Sequence, residues 1–295
     1  MRQLFRHKRL TSSFLTRWSA LGLIGAALLF LASLTGSIGT GLTISKIADC
    51  VRHSTPAEQR RCFAPVAQDA VRSGKTAALL QMLAAMVRSE TLDDCHPLAH
   101  DLGQASFEAR KNLLRAMHEG DASCHKGYYH GVVAAAVHHA ASLGQLDIVN
   151  LCADLRKEAL AYDACLHGLG HGLMHLSDNI VAAQQPCASL PDAYARRRCV
   201  DGLWMENAMQ YLHLDPAEYR LSAPRGCDRF PLPPGPFEAC YGAIGEIALF
   251  YYRHHLSAAL EICYAVESRP GRERCERGAR EEFKAWQQER PQSPF

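Results

Sequence analysis

No cysteine precedes residue 50, no acidic residue falls within residues 1–17, and no charge of either sign occurs from Trp18 to Ile44. The charge-free stretch excludes an ordinary water-facing segment, because a bilayer core is spanned by roughly 20 apolar residues in a helix. Arg2, Arg6, Lys8, Arg9 and Arg17 stand before it and only Lys46 just after it. That bias predicts a basic cytoplasmic head over 1–17, a single transmembrane anchor over 18–44, and an extracytoplasmic domain over 45–295. In a bacterium this is an inner-membrane protein with its main domain in the periplasm. A cleaved signal peptide is the competing reading, with a shorter apolar core of about 7–15 residues and a small-x-small site.

A basic surplus is also missing from the remainder. Setting the five basic residues of the head aside leaves 27 Lys+Arg against 30 Asp+Glu. A nucleic-acid-binding domain shows the reverse, so nucleic acid is not an expected partner. There is no CxxC redox pair and no CxxCH haem attachment. Neither a Gly-x-Ser-x-Gly elbow nor a phosphate loop occurs. The segment HGLGH (167–171) has the histidine spacing of a zincin but glycine where the catalytic glutamate belongs.

What is present is a framework of twelve cysteines. Eleven residues separate Cys50 from Cys62, Cys187 from Cys199 and Cys263 from Cys275, and twelve separate Cys152 from Cys165 and Cys227 from Cys240. Even number and equal spacing predict these five disulfides in an oxidising compartment, with Cys95–Cys124 by exclusion. The rival register joins neighbouring units, with Cys165 to Cys187 and Cys50 to Cys275. Closing a loop of this size stabilises by roughly 3 kcal/mol in the chain-entropy model.

The segments after the second cysteines are self-similar: CHKGYYHGVVAAA, CLHGLGHGLMHL, CVDGLWMENAMQ, CYGAIGEIALFY and CERGAREEFKAW. Self-similarity at a fixed period marks a repeat. Helical rather than alternating apolar spacing predicts an all-α array. First helices are expected near 124–143, 165–177, 199–213, 240–254 and 275–287, with CHPLAHDLGQASFEA a divergent copy. Shorter second helices are expected behind caps at Asp147, Asp178, Asp215 and Ser257. The pattern resembles tetratricopeptide and Sel1-like helical-hairpin arrays. The resemblance implies architecture only, and curling of such an array produces a compact toroid.

Aligned by their cysteines, the first helices place His100, His130, His171, Met205 and Gly245 in one column and Asp101, Gly131, Gly172, Glu206 and Glu246 in the next. His, Asp and Glu are ligands for zinc, iron, manganese or copper. The predicted metal site is therefore His100, Asp101, His130, His171, Glu206 and Glu246. His96, His125, His167, His175 and Met205 are alternative ligands or their supports. Met174, Met205 and Met209 would suit copper, although methionines at helical spacing are more often core. The adjacent pairs His138-His139 and His254-His255 read as structural. His167, His171 and His175 share one helical stripe, interrupted by Gly168, Gly170 and Gly172, each glycine costing roughly 0.8–1 kcal/mol against alanine. Such a stripe implies a site or a close helix approach.

Two function classes follow. One is an extracytoplasmic metal-binding protein, a metal-dependent enzyme or a zinc or copper carrier. The other is a scaffold with structural histidines, for an envelope protein partner, or a pocket for a small polar ligand without metal. Shared coordination demands that His130 and His171 lie within about 8 Å of each other, since metal–nitrogen bonds are near 2 Å.

Overall fold

The computed structural model describes residues 44–53, 56–177, 179–230 and 234–289. The predicted head, and all of the predicted anchor before Ile44, lie outside the described residues. Among the described residues there is no strand, and no helix is long and apolar enough to cross a membrane.

Thirteen α-helices follow one another among the described residues. They are α1 (Ile44–Val51), α2 (Pro56–Arg72), α3 (Thr76–Arg88), α4 (His96–Arg110), α5 (Leu113–Met117), α6 (Gly127–Ser142) and α7 (Ala159–His175). The rest are α8 (Ile180–Ala188), α9 (Ala193–Ala208), α10 (Pro216–Ser222), α11 (Pro234–Tyr251), α12 (Leu256–Tyr264) and α13 (Arg269–Glu289). The long helices α2, α4, α6, α7, α9, α11 and α13 pack each on the next.

The six cysteine pairs stand at disulfide distance in the register that the spacing predicts: Cys50–Cys62, Cys95–Cys124, Cys152–Cys165, Cys187–Cys199, Cys227–Cys240 and Cys263–Cys275. Four of the five expected first helices, however, start earlier than expected, and α6 starts later, at Gly127 rather than Cys124. Cys62, Cys165, Cys199, Cys240 and Cys275 each lie well inside a helix, six residues past its first residue. Prolines open several helices: Pro56, Pro216 and Pro234 occupy first positions and Pro270 a second one. Proline suits that place because the first N–H groups lack an intrahelical partner. The cap at Asp215 is as predicted, accepting from the Ala217 and Glu218 amides. Asn179 rather than Asp178 caps α8, Asp147 heads an irregular turn, and α12 begins at Leu256, ahead of Ser257.

Glycines set how the long helices pair. A Cβ on Gly103 would lie 2.0 Å from the Tyr128 carbonyl oxygen, and one on Gly131 would lie 1.9 Å from that of His100. The same reciprocal contact joins α7 to α9, where Gly170 meets the Cys199 oxygen at 2.1 Å and Gly202 that of His167 at 1.9 Å. It recurs between α11 and α13, where Gly245 meets Cys275 at 2.0 Å and Gly278 meets Gly242 at 2.3 Å. The repeat is thus a pair of long helices crossing backbone to backbone, present three times: α4/α6, α7/α9 and α11/α13. Only glycine permits that approach.

The array returns on itself. His125 Nδ1 lies 2.9 Å from a Glu282 carboxylate oxygen, the Arg253 guanidinium 3.2 Å from Asp93, and the His96 ring 6.1 Å from Phe250. Two left-handed stretches make these joints. Cys124, His125 and Lys126 have φ of 56°, 52° and 62°, and Arg253 and His254 have 49° and 63°. Left-handed backbone costs non-glycine residues roughly 1–2 kcal/mol each. The first stretch turns His125 toward Glu282; the second stacks His254 on Trp286 with ring centroids 4.6 Å apart.

Candidate metal centre

His130 comes from α6 and His167 and His171 from α7, one helical turn apart. The two helices come close because α7 has no side chain where they touch. A Cβ on Gly168 would meet Val133 Cβ at 2.9 Å and His130 Cα at 3.2 Å, and one on Gly172 would meet Val137 Cβ at 2.7 Å. Gly170 faces the opposite neighbour, α9. The three glycines therefore let α7 sit tightly between two helices, and this presses the imidazoles together.

One ligand atom from each of His130, His167 and His171 lies within 4.8 Å of the other two, the single such group of three among the described residues. Ring centroids are 4.7 Å apart for His130–His167, 5.1 Å for His130–His171 and 5.0 Å for His167–His171. All three side chains are buried. Both ring nitrogens of His130, both of His167 and Nε2 of His171 lack a hydrogen-bond partner. Leaving a buried polar group unpaired costs about 1–3 kcal/mol, so five in one cluster require an explanation. Burial, reinforced by the neighbouring imidazoles, pushes His130 well below its ordinary range; burial and then the Arg198 charge do the same to His167. Both are therefore neutral rings with an available lone pair, the form that binds a metal.

His171 is oriented from behind. Its Nδ1 lies 2.7 Å from Glu206 Oε2, and Glu206 Oε1 lies 3.3 Å from His175 Nε2. Burial would raise the Glu206 carboxyl, but the hydrogen bond from His171 and the charges of His171 and His175 outweigh it, bringing it to about 2. An ionised carboxylate only accepts, so Nδ1 donates to it, and Nε2 is left without a hydrogen-bond partner on the side of the cluster. Carboxylate–imidazole–metal chains are built this way.

A pocket of about 450 Å³ opens beside the cluster, lined by His171, His100, His96, Arg60, His138, His175, Glu206 and Met209 among others. Burial, helped by His171, lowers His100 to about 3, and its ring centroid is 6.1 Å from that of His171. Burial, with His125 and His171 close by, lowers His96 to about 4; its ring bonds to the Cys124 backbone and stands 5.4 Å from His130.

Several predicted ligands are elsewhere. Asp101 is held by Arg60, whose Nε lies 3.0 and 2.9 Å from its two carboxylate oxygens, and it faces away from the imidazoles. His100 lines the pocket and is outside the group of three, while His167, predicted as a support, is inside it. Glu206 supports His171 rather than joining the three, His125 is taken by Glu282, and Met205 is core. Glu246 belongs to a different pair altogether.

The glycine crossings explain these shifts. Gly103, Gly170 and Gly245 are equivalent, as are Gly131, Gly202 and Gly278. His100 then matches His167, not His171. His171 matches Glu246, and Glu206 matches Glu282. The cysteines sit at different offsets from the crossing in the two helices of a pair, so alignment by cysteine displaced the columns. In the third pair, Glu246 and Glu282 thus replace His171 and Glu206. Glu282 was not anticipated; its offset from Gly278 is the signal that identifies it.

Burial opposes ionisation of Glu282, but the hydrogen bond and charge of His125 overcome this and lower it. Glu246 has no such partner, and burial beside Glu282 and Asp201 raises it to about 8. Its folded value thus exceeds an unfolded value near 4.3, so the folded state retains a proton the unfolded state releases. This contribution is full below pH ~4.3 and lost as pH rises through about 8. Glu246→Gln is expected to flatten the fall in melting temperature between pH 5 and 8, measured on metal-free protein at about one-unit steps. A variant as pH-sensitive as the parent would show that Glu246 is not the group responsible.

No protein-family model, curated protein or solved structure matches the chain. The functional reading therefore stands on the geometry of the site.

Proposed function

We propose that the protein is an extracytoplasmic metal protein in which His130, His167 and His171 hold one divalent transition ion. The observation that carries this is the set of five unpartnered imidazole nitrogens on three buried, converging side chains. Structural histidines in a scaffold would have found partners for them. The six disulfides indicate an oxidising, extracytoplasmic compartment. Anchorage through residues 18–44 is part of the same proposal and rests on their charge-free composition.

Three protein ligands leave a position for solvent or a substrate, the layout of catalytic rather than structural zinc. The site meets a pocket of a size suited to a small ligand. We read the protein as a metal-dependent enzyme on that ground. A bound ion supplies a Lewis acid and an activated water. This chain's own groups do the rest: Glu206 fixes the His171 ring, and Arg60 and His100 are among the polar groups a ligand meets on the pocket wall.

Cobalt(II) titration of metal-free protein tests the reading. The expected outcome is about one ion per chain with an absorption spectrum of a four- or five-coordinate site rich in imidazole. Failure to retain cobalt or zinc in stoichiometric amount would leave the scaffold reading in its place.

A further inference from the structure

The three ligands are sealed inside the array, so an ion needs a route to them. The pocket supplies one, and its wall is a graded series of donors. At its mouth His138 and His175 are both exposed, their ring centroids 5.8 Å apart, with Met209 lining the same space. His175 Nε2 lies 3.3 Å from Glu206, Glu206 lies 2.7 Å from His171, and the His171 ring is stacked 5.1 Å from His130. His100 stands alongside, 6.1 Å from His171. No step in this series is longer than a side-chain rearrangement can bridge.

We propose that His138 and His175, with Glu206 and Met209, form an outer metal-binding station that receives a divalent ion and passes it to the inner site. This rests on the reading of His130, His167 and His171 as metal ligands. Charge at the mouth suits a cation. Glu206 lines the pocket, Glu108 there is paired with Lys111, and the guanidinium of Arg60 is neutralised by Asp101. The outer donors do not close to the 4.8 Å spacing of the inner three. An ion there is held by two imidazoles and keeps some of its waters. It is bound more weakly than inside, as a transfer point requires. Each water then exchanges for an imidazole in turn, so the ion is never stripped of its whole shell at once. The role also accounts for His138, which sits late in α6 with no carboxylate partner among the described residues.

The test is the rate at which metal-free, full-length protein takes up cobalt(II), followed by stopped-flow absorbance. His138→Gln/His175→Gln keeps polar side chains of similar reach at the mouth. Uptake by this variant is expected to slow by about tenfold or more, because the local store of ions is lost. Final stoichiometry and inner-site affinity should stay close to those of the parent. A variant that loads as fast as the parent overturns the outer station while leaving the inner site intact. A parent that takes up no cobalt overturns both. The single variant His138→Gln, which leaves the His175–Glu206 contact untouched, should show an intermediate rate; full parental speed in it would also count against the station.

Discussion

His167→Ala is expected to abolish stoichiometric metal binding and to leave the metal-free fold little changed or slightly more stable. His167 carries two buried nitrogens with no partner, and its removal relieves that penalty of about 1–3 kcal/mol per group while leaving a cavity of opposing sign. In the presence of metal the order reverses. The parent gains stability by mass action, roughly 2.7 kcal/mol at a hundredfold excess over the dissociation constant, and the variant gains none. Thermal unfolding with and without cobalt separates the two effects in one experiment. Glu206→Gln should weaken binding by about 10–100-fold, because the amide oxygen still accepts from the ring but the negative charge behind it is lost. Glu246→Gln should leave affinity as it is. An alanine variant at position 167 that binds cobalt as tightly as the parent would sink the assignment.

The second large effect is expected at the helix crossings. Gly202→Ala places a methyl 1.9 Å from the His167 carbonyl oxygen, and Gly131→Ala places one equally close to that of His100. The obstacle in each case is backbone, which cannot swing aside as a side chain does. The helices must separate, and a loss of roughly 3 kcal/mol or more in denaturant unfolding is expected. Gly235→Ala is the internal control, since a Cβ there has nothing within 4 Å. It should be neutral or slightly stabilising through the unfolded chain, by about 0.4–1 kcal/mol. If Gly202→Ala were as harmless as the control, the tight crossing would be refuted. Gly168→Ala is milder in stability but displaces His130, whose Cα lies 3.2 Å from the new methyl. Its larger effect should be on metal affinity.

The all-helical class and five of the cysteine pairs are legible from spacing, and the sixth pair, Cys95–Cys124, follows by exclusion. Equal loops declare the disulfide register because local geometry alone decides it. The ligand set is less accessible, and His167 shows why. Its place in the site depends on which residue of α7 faces which residue of α6. That register is set by glycines touching carbonyl oxygens in the neighbouring helix, and no cysteine spacing encodes it. Asp101 illustrates a second gap. A carboxylate beside His100 in sequence points to the other side of α4, where Arg60 captures it, forty-one residues distant in the chain. Glu282 shows the converse, since its partner His125 is brought to it only by closure of the array.

Every disulfide in this protein joins a cysteine to the next one along the chain. An oxidant that simply pairs thiols in order of synthesis therefore arrives at the native set without reshuffling. The histidine group comes from α6 and α7 and its Glu206 support from α9, whereas the Glu282 that receives His125 lies on the last helix, α13. What the final helix adds is therefore not a member of the histidine group but the Glu282 contact that ties α13 back to the segment before α6.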